Sequence, residues 1–333
     1  MMTMNRRKFI EASALAGTSL GILGFKTPHT LVAEGKRIGI IGLDTSHSIE
    51  FTKVLNAAQP NPAYDGYRIV AAYPYGSKDI EKSASRIPGY IEDVKRMGVQ
   101  ITGSIKDLLE ITDVILLETN DGRLHLEQAM EVFKAGKKMF IDKPVAASLR
   151  DTLAIYKASE KYKIPVFSAS SLRYIKGIDS IDKSKVVGAD AFSPAALEKT
   201  HPDFYWYGVH GVETLYTVMG TGCKSVTRVH TPDTDIIVGV WQDGRIGTVR
   251  GSRSGKNHYG GTVFTVDGNQ ILGPYAGYEP LLAHIVKYFN TGEIPVSPEE
   301  TIEIFTFMEA ADESKRQSGK SVTLESVLKK ASS

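Results

Sequence analysis

Cysteine is almost missing from this 333-residue chain. Cys223 stands alone, which excludes an intramolecular disulfide framework and any cysteine-cluster metal site. A surplus of charge is missing as well. Lys and Arg number 40 against 38 Asp and Glu, and residues 1–33 hold Arg6, Arg7, Lys8 and Lys26 against Glu11 alone. The remainder is balanced to within one charge, so composition indicates no basic nucleic-acid surface. Long apolar runs are lacking: the stretch from Ala12 to Gly24 is roughly 13 residues, too short and too glycine-rich to span ~30 Å of hydrocarbon. There is no internal repeat and no low-complexity linker, and the 31 glycines and 14 prolines follow no collagen-like period. With 42% hydrophobic and 23% charged residues, the chain is neither disordered nor unusual for a soluble protein. Its length suits two domains of ~100–200 residues, and a small molecule is the expected partner.

The first 33 residues read as an address. Asn5-Arg6-Arg7-Lys8-Phe9 precedes the small-residue apolar run, the layout of an export signal. The paired arginines with Phe9 resemble a twin-arginine signal, whose pathway carries folded proteins. Cleavage is expected near Ala33, retention as an anchor being the alternative, and the absence of a cysteine after the run excludes a lipoprotein. An exported, periplasmic protein with no membrane span in its mature form is the expectation.

Beyond this, apolar runs alternate with helical spacing. Lys36 to Gly42, Tyr67 to Tyr73, Asp113 to Glu118 and Lys138 to Ile141 read as buried strands. Ser48 to Ala58, Ser104 to Glu110 (with Ser104 as cap) and Leu124 to Lys134 read as helices. That alternation predicts a doubly wound parallel sheet, with ligands at the carboxyl ends of its strands. After about residue 180 strands follow one another: Ser225 to His230, Asp235 to Trp241, Ile246 to Gly251 and Gly261 to Val266. Turns such as Gln242-Asp243-Gly244 join them, so an α+β domain with an antiparallel sheet is expected, closed by helices from Leu281 and from Pro298. The domain reading is 1–33 signal, 34–150 doubly wound parallel sheet, and 151–333 α+β domain, with homo-oligomerisation expected through the second sheet.

Three stretches together resemble the Gfo/Idh/MocA family of nicotinamide-dependent sugar oxidoreductases. They are Thr119 to His125 followed by Phe140-Ile141-Asp142-Lys143-Pro144; Gly208-Val209-His210-Gly211-Val212-Glu213; and Pro295-Val296-Ser297 with Glu309, Ala310 and Ser314. The resemblance implies a Rossmann-like domain, NAD or NADP as cofactor, and a sugar or polyol as substrate. It also implies that Lys143 lies near the reacting carbon and that His210 shuttles the proton. A lysine ammonium would stabilise a developing alkoxide, and a histidine would take the hydroxyl proton.

The sequence departs from the family at several points. A dinucleotide turn calls for Gly-x-Gly-x-x-Gly, whereas Gly42-Leu43-Asp44-Thr45-Ser46-His47 keeps only its first glycine. Asp44 puts a negative charge beside the expected pyrophosphate; alternatively, Asp44 or Ser46 caps the helix. Backbone N–H groups at the helix start and the Thr45 and Ser46 hydroxyls would serve a phosphate. At the end of the second strand Tyr73-Pro74-Tyr75-Gly76-Ser77-Lys78 offers no carboxylate before Asp79. Ser77 and Lys78 would therefore tolerate a 2′-phosphate, and NAD against NADP stays open. Gly42, Leu43, Thr45, Ser46, His47, Ser77, Thr119, Asn120, His125 and Lys143 are the candidate cofactor contacts. Tyr205, Trp206 and Tyr207 form the densest aromatic cluster, a candidate face for a sugar ring. Trp206 stands where the family has an aspartate, and a tyrosine hydroxyl could replace that acid. Arg173 is a candidate pocket residue. His47, His125 and His210 have no metal-ligand spacing, so no metal is expected.

Three function classes follow: an exported oxidoreductase of sugars or polyols, a redox-neutral glycosidase or lyase that uses the same cofactor transiently, and a sugar-binding protein on a degraded scaffold.

Overall fold

Ile38, Ile40 and Ile41 in strand Arg37–Ile41 (β1) are fully buried, as a strand covered on both faces requires. The computed structural model describes residues 35–333, so the export assignment to residues 1–33 lies outside them. Strands Arg68–Tyr73 (β2), Gln100–Ile101 (β3), Val114–Leu117 (β4), Met139–Ile141 (β5) and Val166–Ser168 (β6) join β1 in one sheet. Its order is β3-β2-β1-β4-β5-β6, and all its pairings are parallel. This is the doubly wound arrangement, whose switch point lies between β1 and β4. Helices Ser46–Leu55 (α1), Glu81–Ala84 (α2), Ile87–Arg96 (α3), Ile105–Ile111 (α4), His125–Lys134 (α5) and Leu149–Tyr162 (α6) connect the strands. Ser104 caps α4 through its hydroxyl, which accepts the Asp107 N–H.

The second sheet comprises Val186–Pro194 (β7), Cys223–His230 (β8), Thr234–Trp241 (β9), Ile246–Ser252 (β10), Gly260–Thr265 (β11), Gly268–Leu272 (β12) and Val322–Thr323 (β13). Its order is β12-β11-β7-β10-β9-β8-β13. It is mixed rather than purely antiparallel, because β7 runs parallel to β10. The helix between them in sequence, Val209–Met219 (α7), makes that crossover and packs on the inner face.

Two elements past residue 150 belong to the first sheet. Strand β6 is its edge. Helix Glu279–Thr291 (α8) lays Leu281, Leu282, Ile285, Val286 and Phe289 in the same core as Ile38, Ile40, Phe51 and Phe140. Each such side chain contributes about 1.5–3 kcal/mol when fully buried. Helices Pro298–Arg316 (α9) and Leu324–Ser332 (α10) close the second sheet's inner side. Among the described residues no helix is long and apolar enough to cross a membrane.

Candidate active site

The carboxyl ends of β1, β2 and β4 are drawn together by backbone geometry and one acid. Gly42 has φ +95, and a Cβ there would sit 2.5 Å from Thr119 N, so only glycine lets the two strand ends touch. Its N–H donates to the Tyr73 carbonyl (2.8 Å) and the Leu43 N–H to that of Pro74 (3.0 Å). Asp44 is wholly buried. The Ser77 N–H and Oγ–H both donate to its Oδ2 (2.9 Å each), and the Asn120 N–H donates to Oδ1 (3.0 Å). Neither Asp44 nor Ser46 caps α1. That part falls to Thr45, whose Oγ1 accepts the His47 N–H at 3.5 Å.

After β4 the chain passes through Thr119 and Asn120 to α5. His125, at the first turn of α5, is fully buried. Its Nε2 lies 2.6 Å from the Thr119 carbonyl and its Nδ1 3.2 Å from that of Val145, which makes it a strut between two loops. Asp142 and Lys143 directly follow β5. Asp142 is buried with Oδ2 2.7 Å from His47 Nδ1. Beside it Glu118 is fully buried, and neither of its oxygens has a hydrogen-bond partner. Burial, then the Asp142 carboxylate, pushes Glu118 well above the usual carboxyl range. Asp142 is instead held low: burial pushes it up, but His47 and Lys143 outweigh that. The two shifts oppose each other, favouring the protonated form of Glu118 and the carboxylate of Asp142. His47, Glu118 and Asp142 place ligand atoms within 4.8 Å of one another, so these three could hold a cation; their separation in sequence gives no sign of it.

The opposite wall comes from the second half of the chain. Phe204–Gly208 winds as one π-helical turn before α7. The extra residue per turn buries Phe204 and Tyr205 while presenting Trp206 and Tyr207. Trp206 packs on His201 (ring centroids 4.9 Å), and His201 Nε2 accepts the Gly122 N–H at 3.2 Å. Burial, the largest influence, pushes His201 down to about 4, in keeping with a neutral acceptor. His210, one residue into α7, has Nδ1 2.6 Å from Ser170 Oγ. Burial pushes it well below the ordinary imidazole value, and the Lys143 ammonium acts in the same direction.

These elements enclose a cleft of ≈ 180 Å³. Among the cofactor candidates, Thr45, Ser46, His47, Asn120 and Lys143 line it. Gly42, Leu43, Ser77, Thr119 and His125 do not: Leu43 is core, Ser77 faces Asp44, and the others brace the loops. Lys143 and His210 reach the same cleft from different sheets. Of the substrate candidates, Trp206 and Tyr207 line it, whereas Tyr205 is buried with its hydroxyl donating to the Phe305 carbonyl at 3.3 Å. Arg173 lies outside. It is buried between Glu213 (2.8 Å) and Glu300 (2.5 Å), a charge that packing tolerates only when paired.

Sequence reasoning missed Lys82, Arg86, Ser170, Tyr259, Tyr275 and Tyr278. Ser170 lies two residues past β6, and its Oγ accepts the Leu172 N–H (3.0 Å). Tyr259, which donates to the Tyr207 hydroxyl at 3.4 Å, and Tyr275 and Tyr278 border the irregular ends of β11 and β12, where periodicity carries no signal.

The residues present fit the phosphates of a dinucleotide. The N-terminus of α1 opens on the cleft, Lys82, Arg86 and Lys143 line it, and no Asp or Glu does. The charge of Asp44 is satisfied within the protein and faces its own loops.

Residues 36–170 match the GFO/IDH/MocA family, described as an oxidoreductase family with an NAD-binding Rossmann fold. No curated protein matches the sequence. A probable dehydrogenase from Thermotoga maritima shares the fold at TM-score 0.70 and 19% identity, over 87% of this chain and 99% of its own. Myo-inositol 2-dehydrogenase from Lactobacillus plantarum does so at 0.68 and 16%, over 86% and 98%. Scyllo-inositol dehydrogenase from Lactobacillus casei, solved with NAD(H) and scyllo-inositol, does so at 0.68 and 14%, over 87% and 99%. The family match supports an NAD(P)-dependent oxidoreductase.

Proposed function

We propose, from the premise that residues 36–170 carry the NAD-binding Rossmann fold of an oxidoreductase family, that this protein oxidises a hydroxyl-bearing carbon of a sugar or sugar-like polyol. The observation that carries the proposal is one cleft that brings together Lys143, His210 and the open end of α1. The inositol substrates in the names of two structural neighbours support the polyol class. A bound nicotinamide supplies the hydride acceptor. Lys143, which lines the cleft, orients the hydroxyl and stabilises the developing alkoxide. His210, kept neutral by burial, takes the hydroxyl proton at Nε2. Ser170 Oγ, 2.6 Å from Nδ1, accepts the ring's own N–H, the tautomer that leaves Nε2 free as the base. Trp206 and Tyr207 supply an aromatic face for the ring.

The hydrogen bonds that Ser77 and Asn120 give Asp44 weaken the case for a degraded scaffold, because they assign its carboxylate a bracing part in the strand ends. We take 34–150 as the cofactor part and 151–333 as the part for substrate and self-association, with β6 and α8 crossing back. We also propose export through the paired arginines; Arg6→Lys with Arg7→Lys should trap the protein in the cytoplasm, and normal export would refute it. The deciding experiment is mass spectrometry of small molecules released from protein purified after export. A nicotinamide dinucleotide is expected. Its absence, together with no thermal stabilisation by millimolar NAD or NADP, would overturn the reading, because a ligand that binds only the native state must raise its stability.

A further inference from the structure

Two cations that line the cleft, Lys82 and Arg86, are free of acid partners among the described residues. Lys82 on α2 is exposed and Arg86, at the start of α3, is half-buried. Neighbouring cations that face elsewhere are paired: Lys95 with Glu92 at 2.9 Å, Arg96 with Asp93, and Arg123 with Asp79. The arrangement is braced, because Asn120 Nδ2 donates to Ser83 Oγ at 2.8 Å and ties α2 to the end of β4. The acids nearby are engaged by the protein itself, Asp44 by the Ser77 and Asn120 donors and Asp142 by His47.

We propose that Lys82 and Arg86 form an oxyanion subsite at the outer end of the cleft, which reads a phosphate or carboxylate on the bound ligand. This deepens the oxidoreductase reading and rests on it. Lys143 and His210 lie buried at the inner end, so a ligand that fills the cleft places its reacting carbon inside and its negative charge at the rim. The oxyanion comes either from the dinucleotide or from an acidic sugar, and the two are separable by experiment.

The test compares the full chain with its Lys82→Ala/Arg86→Ala variant. NADH and NADPH affinities are measured by fluorescence titration, and glucuronate is compared with glucose by thermal stabilisation. Losing charge-assisted hydrogen bonds should weaken the bound anion about tenfold or more. A loss confined to NADPH assigns the subsite to the 2′-phosphate. An equal loss for both dinucleotides assigns it to the diphosphate, and a loss confined to glucuronate assigns it to the substrate's carboxylate. Lys82→Arg, which keeps the charge, should retain most of the affinity. Unchanged affinity for every anion, or no binding of any anion by the wild type, overturns the proposal. If the wild type binds neither dinucleotide, the oxidoreductase reading falls, while the glucuronate arm still decides the subsite.

Discussion

Position 44 is where residue chemistry and motif matching part. A carboxylate in a phosphate-binding turn looks repulsive, yet three donors from two other strand ends converge on it. Asp44→Ala should therefore destabilise the fold rather than improve cofactor binding. Each donor left buried and unpaired costs about 1–3 kcal/mol, which urea denaturation would register. Asp44→Gly, which restores the motif, should be no better. His210 offers a test in pH. Its folded-state value is depressed, whereas the unfolded ring titrates near ~6.5. Its contribution to stability is full above that pH and is lost as pH falls through ~6.5 toward the folded value. His210→Gln should flatten the stability–pH slope below pH ~6.5 and abolish the acid limb of kcat/KM. A slope identical to wild type would show that the ring is not held neutral. Lys143→Ala should lower kcat by about 10²-fold or more, and His210→Ala should leave dinucleotide affinity in place.

At the scale of elements, four of the first sheet's six strands were legible because buried parallel strands are short continuous apolar runs closed by glycine or a charge, whereas β3, β6 and helices α2, α3 and α6 gave no such run. Arg37–Ile41, Val114–Leu117 and Met139–Ile141 lie within the runs read as strands. Strand β7 was not legible: Val186–Pro194 mixes Gly, Ala and Asp, and its parallel pairing with β10 depends on a crossover that no local pattern encodes. The π-turn was equally hidden. Phe-Tyr-Trp-Tyr announces an aromatic cluster, but which rings face the core depends on a winding that propensity does not predict. Gly208 makes it possible, since a Cβ there would sit 2.4 Å from the Phe204 ring. Gly208→Ala must move Phe204 or unwind the turn. It should cost about 1–3 kcal/mol in stability and raise KM for the substrate more than it lowers kcat, because Trp206 and Tyr207 shift while Lys143 stays. A wild-type melting temperature and KM would remove this account of the turn.

For the whole molecule, the site is legible only in outline, because its lining runs from Thr45 to Tyr278 and contacts such as Ser171 with Tyr275 and His47 with Tyr278 join residues more than a hundred positions apart. The second sheet raises a different question. Its inner face is filled by α7 and α9, but registry places Phe192, Val229, Val240, Ile246 and Ile271 together on the outer face, all exposed. Ile236, Val238 and Phe264 are half-buried among them. Although Asp190, Thr248 and Arg250 interrupt it, so many exposed apolar side chains on one sheet face are uncommon on a monomer. The face pairs most simply with itself, since a two-fold axis meets the same apolar rows on both copies. The expected state is a homo-oligomer with this face at its interface. Ile246→Asp with Ile271→Asp places charges at the centre and flank of the face without touching the inner core. Sedimentation equilibrium should then shift toward the monomer, and Lys143 chemistry should persist, because the cleft opens on the other side of the same sheet. If the doubly substituted chain sediments as the wild type does, the oligomer forms elsewhere, and if the wild type is a monomer at micromolar concentration, the face serves another purpose.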